Sequence, residues 1–191
     1  MKSNPANDSL RKVVLNDGTP GIVRPIVPAD KWALVTALEE LAEDSRERRF
    51  FFNKANLSEK ELERLSNPDG IDHIAFGFAV QTVDEEEMLP IAVGRCFRDP
   101  ADRELAELAI VTADAWQGLG AGAELMRSLS AAASEVGIRR WLAVMFADNF
   151  AMDRLLQKFG RKCEEHEIGG GIVEMIYEIA EPPGGFFDTS A

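Results

Sequence analysis

The amino-acid sequence predicts a mixed α/β (α+β) fold, and three observations carry the prediction. An apolar, β-rich run, Leu108-Ala109-Ile110-Val111-Thr112, is followed by the glycine turn Trp116–Ala123. A helical pattern then places Leu125, Leu129, Ala132 and Val136 on one face. From His73 the period shortens, so that 74–80 and 91–97 read as strands joined by a turn holding Asp84-Glu85-Glu86-Glu87. Trp141–Met145 reads as a strand, Ala151–Phe159 as a helix ended by Gly160, and 161–165 with 172–179 as a hairpin around Gly169-Gly170-Gly171. With 191 residues, 46% of them hydrophobic, the chain has enough material for one domain with a core.

The remaining elements follow in order. Val13–Leu15 and Ile22–Ile26 form a hairpin about Asp17-Gly18. Pro28 opens a helix with Asp30 in its first turn and Leu34, Leu38 and Leu41 as its buried stripe. Ser45 begins a second helical piece that carries Arg46, Arg48, Arg49 and Phe50–Phe52. Ser58, with Glu61 three residues on, has the capping-box pattern of a third, short helix. Glu104–Thr112 is the strand before the glycine turn, and Gly137 closes the helix after it. The chain divides into a flexible N-terminus (1–12), a single domain (13–180) and a flexible tail (181–191), with no internal repeats.

Charge excludes some partners. The formal net charge is −12. Nucleic-acid binding leans on Lys and Arg neutralising phosphates, so it is not expected here. A cationic acceptor such as an amine is favoured by steering. Cys96 and Cys163 are far apart, and neither they nor His73 and His166 have metal-ligand spacing, so no metal is expected. A polar N-terminus without an apolar stretch and the lack of any ~20-residue apolar run point to a cytoplasmic protein with no membrane association. A homodimer remains open.

The turn Gln117-Gly118-Leu119-Gly120-Ala121-Gly122-Ala123 sets the functional expectation. Glycines permit a tight turn with exposed N–H groups, and the helix N-terminus adds roughly half a positive charge aimed at an anion. Gly118-x-Gly120-x-x-Ala123 also satisfies the dinucleotide fingerprint. That motif belongs in a first βα unit with an acid about 20 residues on, and neither condition is met here. A nucleotide-dependent oxidoreductase is therefore the weaker reading.

Gln117-x-x-Gly120-x-Gly122 resembles the signature of the GCN5-related N-acetyltransferases (GNAT), and the order of elements over Val13–Ile179 matches theirs. Asp17-Gly18-Thr19 before Arg24-Pro25-Ile26, Ser45-x-x-x-Arg49-Phe50-Phe51, Ala106-Glu107-Leu108-Ala109 and Asn149-x-Ala151-Met152 are most similar to the catalytic domains of bacterial protein lysine acetyltransferases. The resemblance implies a central mixed, mostly antiparallel twisted sheet flanked by helices. It implies acetyl-CoA as cosubstrate and a primary amine, of a protein lysine or a small molecule, as acceptor.

Residue by residue, the resemblance puts the diphosphate on the backbone of Gly118–Ala123, introduced by Gln117. The pantetheine arm would pair along Ile110, Val111 and Thr112, with the Ile110 N–H facing the acetyl oxygen. Glu107 would be the general base, raised in pKa by burial, with Glu104 in reserve. Asn149 serves as helix N-cap and, with Met152 beside it, as a contact to the CoA arm. Many relatives carry a tyrosine acid in this last helix, at the position of Leu156. The only tyrosine here is Tyr177, which leaves the acid unassigned and a non-catalytic acyl-CoA-binding module as the alternative.

Overall fold

The computed structural model describes residues 10–32, 58–81 and 88–180. The helical stripe Leu34–Leu41, the segment Ser45–Phe52, the acidic turn 84–87 and the tail 181–191 lie outside the described residues, as do residues 1–9.

Among the described residues, eight strands form one sheet: β1 (Arg11–Val14), β2 (Pro20–Pro25), β3 (His73–Gln81), β4 (Met88–Arg98), β5 (Leu105–Thr112), β6 (Arg140–Phe146), β7 (Gly160–Gly169) and β8 (Ile172–Ile179). Their order across the sheet is β1-β2-β3-β4-β5-β6-β8-β7. Of these strands only β5 and β6 pair in parallel. The helices are α1 (Glu59–Ser66), α2 (Ala121–Glu135) and α3 (Phe150–Phe159). This is the mixed, mostly antiparallel sheet flanked by helices that the family resemblance implies.

The hairpin closes as its Asp-Gly signal requires. Gly18 adopts φ +92, its N–H bonds the Leu15 carbonyl, and Asp17 Oδ1 accepts from the Thr19 N–H. β1 begins at Arg11, two residues inside the segment expected to be flexible, because Arg11 pairs with Val23 and its guanidinium reaches Glu124 at 2.8 Å. After β2 the chain makes a 3-10 turn, Pro28–Asp30, before helical Lys31 and Trp32. Ser58 caps α1 with the reciprocal bonds of a capping box: Ser58 N–H donates to Glu61 Oε2 at 2.8 Å, and the Glu61 N–H returns to Ser58 Oγ at 3.3 Å.

α2 lies on the face of the sheet that presents Ile74, Phe76, Gly94 and Cys96. Leu125, Leu129 and Ala132 are fully buried there, each leucine contributing about 2 kcal/mol. Gly94 permits the close approach, since a Cβ there would stand 2.9 Å from Leu129 Cδ1. Gly137, at φ +85, ends the run, with the Ile138 N–H returning to the Ala133 carbonyl. α3 packs beside α2 and on β7 and β8.

Candidate active site

β5 and β6 pair over three positions only, Leu105–Glu107 with Arg140–Leu142. Past them the strands make no further pairs, and the sheet opens into a cleft of about 660 Å³. Leu108, Ile110 and Thr112 line one wall, and Ala143, Val144 and Met145 the other. An extended chain laid in this slot would lie along unpaired strand backbone.

The glycine turn stands at the open end of the slot. Gly118 and Gly120 adopt φ +76 and +101, conformations that disfavour any side chain. Gly120 is the residue before the first turn of α2. Two contacts fix the loop: the Asn16 N–H donates to the Leu119 carbonyl at 3.0 Å, and Gln117 Nε2 donates to Asp114 Oδ1 at 2.8 Å and to the Thr112 carbonyl at 3.3 Å. Gln117 thus braces the turn with its side chain. Among the described residues, the amides of Gly118, Leu119, Gly120, Ala121 and Gly122 have no hydrogen-bond acceptor. Five successive free N–H groups at a helix N-terminus make a ready anion site.

Of the other expected residues, Glu107, Ala123, Asn149 and Met152 all line the cleft. Asn149 Oδ1 accepts from the Met152 N–H at 3.2 Å and caps α3. Its NH₂ group has no partner among the described residues. The side chains of Val111 and Leu119 do not line the cleft; Leu119 packs on the core instead. Glu107 stands at the point where β5 and β6 part, whereas Glu104 precedes β5 and lies outside the cleft. The expectation that Glu107 is buried is corrected, because it is an exposed residue on the open side of the strand.

Other titratable groups are committed elsewhere. Leu156 is buried in the core. Tyr177 is also fully buried and donates its hydroxyl to Asp153, which, with burial, drives its pKa up. Burial pushes the Cys96 thiol up to about 12, so it is an inert core residue. His73 begins β3 and stacks on Phe97 at 4.2 Å. Among the described residues no group of three His, Cys, Asp or Glu side chains could hold a metal ion, and no helix is long and apolar enough to cross a membrane.

The structure also brings in residues that sequence reasoning missed. Asn16 arrives from the β1–β2 turn, more than 100 positions from the Leu119 carbonyl it bonds, so no local signal marks it. Arg154, Leu155 and Lys158 line the cleft from α3. Their helical spacing from Ala151 was available as a signal once Asn149 was taken as the cap.

Comparison with known proteins agrees with this geometry. The model of the acetyltransferase (GNAT) family matches residues 38–160. Acetyltransferase Pat of Mycolicibacterium smegmatis is 29% identical over 162 residues, covering 84% of this chain; the chain spans 46% of that relative's length. The GNAT domain of S. lividans PAT superposes with a TM-score of 0.75 at 29% identity, covering 89% of this chain and 97% of that one. The structure of yncA from Salmonella typhimurium with its cofactor acetyl-CoA shares the fold at a TM-score of 0.65 and 14% identity, over 86% and 96% of the two chains. With the family model matching more than half of its residues and a Pat acetyltransferase domain sharing its fold, this chain belongs to the acetyltransferase (GNAT) family.

Proposed function

We propose that the chain transfers the acetyl group of acetyl-CoA to a primary amine by direct attack in a ternary complex. The observation that carries the reading is the run of five free amides on the glycine turn, set at the mouth of a slot between parted parallel strands. The donor's shape matches it: a diphosphate, then an extended amide-bearing arm, then a thioester. Acetyl-CoA supplies the activated acetyl group.

Each step asked of the protein is assigned to a residue. The amides of Gly118–Gly122 hold the diphosphate without a side-chain charge. The β5 backbone at Ile110 and Thr112 orients the arm, and the Ile110 N–H stabilises negative charge on the acetyl oxygen. The free NH₂ group of Asn149 meets the arm from the other wall. Glu107 takes the proton from the attacking ammonium. Its solvent exposure suits a base that passes protons to water. A thiolate leaving group has a modest pKa near 8.5, so water suffices to protonate it where relatives use a tyrosine.

The acceptor is an amine on a protein lysine or a small molecule. Similarity to Pat acetyltransferases supports the protein substrate. Residues 13–180 act as one catalytic domain, working in the cytoplasm without metal.

Calorimetric titration of acetyl-CoA, with NADH as control ligand, tests the cofactor reading. Micromolar binding of acetyl-CoA alone, abolished by Gly120→Glu in a protein with an intact circular-dichroism spectrum, is expected. Failure to bind would overturn it. Binding without acetylation of amines or lysine peptides would favour a non-catalytic acyl-CoA module.

A further inference from the structure

α3 presents one continuous stripe to the cleft: Ala151, Arg154, Leu155 and Lys158, at the i, i+3, i+4, i+7 spacing of a single helical face. The stripe changes character across its width. One edge, Ala151 and Leu155, is apolar, and Leu155 lies against the first turn of α2, where a Cβ on Gly122 would come within 3.2 Å of Leu155 Cδ2. The other edge, Arg154 and Lys158, is cationic.

Arg154 and Lys158 are exposed, and among the described residues neither has an ion-pair or hydrogen-bond partner. Most neighbouring cations are paired: Arg127 with Glu124, Lys162 with Asp153 and Glu165, Arg161 with Glu178. In a chain of net charge −12, two unpaired cations on the wall of an anion-binding cleft call for an explanation. Lys158 lies in the last turn of α3, where any cation complements the helix dipole. Arg154 is mid-helix and has no such role.

Resting on the acetyl-CoA reading above, we infer that Arg154 and Lys158 bind the ribose 3′-phosphate of the donor and make the cleft selective for 3′-phosphorylated CoA. The donor carries two separate anionic centres. The free amides of the glycine turn suffice for the diphosphate, and they supply no side-chain charge for a second anion. A phosphate monoester, with nearly two full charges and three acceptor oxygens, is the anion that gains most from a guanidinium and an ammonium. The Arg154–Lys158 edge of the α3 stripe is where the cleft offers both.

The test compares acetyl-CoA with 3′-dephospho-acetyl-CoA by calorimetry, using wild type, Arg154→Gln/Lys158→Gln and Arg161→Gln. The last removes a cation of β7 that lies outside the cleft and so controls for overall charge. Wild type should prefer acetyl-CoA by on the order of 10- to 100-fold. The double variant should lose that preference by weakening acetyl-CoA alone, while Arg161→Gln keeps it. Thermal melts of all three proteins check folding, and the single variants serve if the double one is unstable. No preference in wild type, a preference that survives in the double variant, or equal weakening of both ligands would overturn the inference; the last would assign the cations to the diphosphate. If wild type binds neither ligand, the acetyl-CoA reading itself fails and takes this inference with it.

Discussion

Tyr177 on β8 donates its hydroxyl to Asp153 on α3, tying the last described strand to the helix that walls the cleft. Asp153 also accepts from Gln157 at 2.9 Å and pairs with Lys162 at 3.2 Å. Burial works against ionisation of this carboxyl, but the bonds from Tyr177, Gln157 and Lys162 outweigh it and hold its pKa below the usual range. The chain's only tyrosine is therefore structural. Tyr177→Phe should cost about 1–2 kcal/mol of stability in urea unfolding and leave kcat unchanged. A tenfold fall in kcat would instead give Tyr177 a part in the chemistry.

Glu107→Gln should keep acetyl-CoA affinity and lower kcat by roughly 10²- to 10⁴-fold, the range for loss of a general base. Steady-state turnover beside calorimetry separates the two readouts. Full turnover in the variant would remove Glu107 from the mechanism.

Gly160 has extended backbone, so its glycine is not required by φ. Contact requires it, because a Cβ there would stand 2.3 Å from the Glu178 carbonyl oxygen across the β7–β8 pair. Gly160→Ala should destabilise by about 1–3 kcal/mol, as overpacking does. The melting temperature reads this directly, and an unchanged value would show that β7 can shift.

His73 gives the stability a pH dependence. Burial, reinforced by the nearby Arg95 charge and opposed by Asp69, lowers its pKa to about 4 from an ordinary 6.5. The unfolded chain then binds a proton that the folded one refuses. The stabilisation is complete above pH 6.5 and is lost progressively as pH falls toward 4. His73→Phe should flatten the unfolding free energy over that window. A slope identical to wild type would show that His73 is not its source.

Local chemistry made much of this molecule legible. The Asp17-Gly18 hairpin, the Ser58 cap, the glycine turn and the Asn149 cap each depend on residues within a few positions of one another. The order of the described strands and helices from His73 to Ile179 followed from their periods. Long-range placement did not follow. Nothing near Asn16 announces that its backbone would steady Leu119, and nothing near Tyr177 names Asp153 as its acceptor. Glu107 was expected to be buried as a base of raised pKa, yet alternation along β5 turns it to the open side while Ala106 and Leu108 are buried.

Three residue pairs are a short seam for a sheet of this width. They join two panels, β1–β5 carrying α2 and β6–β8 carrying α3, which also meet where Arg140 pairs with Asp102 at 2.7 Å, where Leu155 approaches Gly122 and where the Arg127 guanidinium lies 5.8 Å from the Phe159 ring centre. The edges of β5 and β6 along the gap carry backbone groups that want partners, and an extended ligand supplies them as an inserted strand would. Occupancy of the slot then fastens one panel to the other.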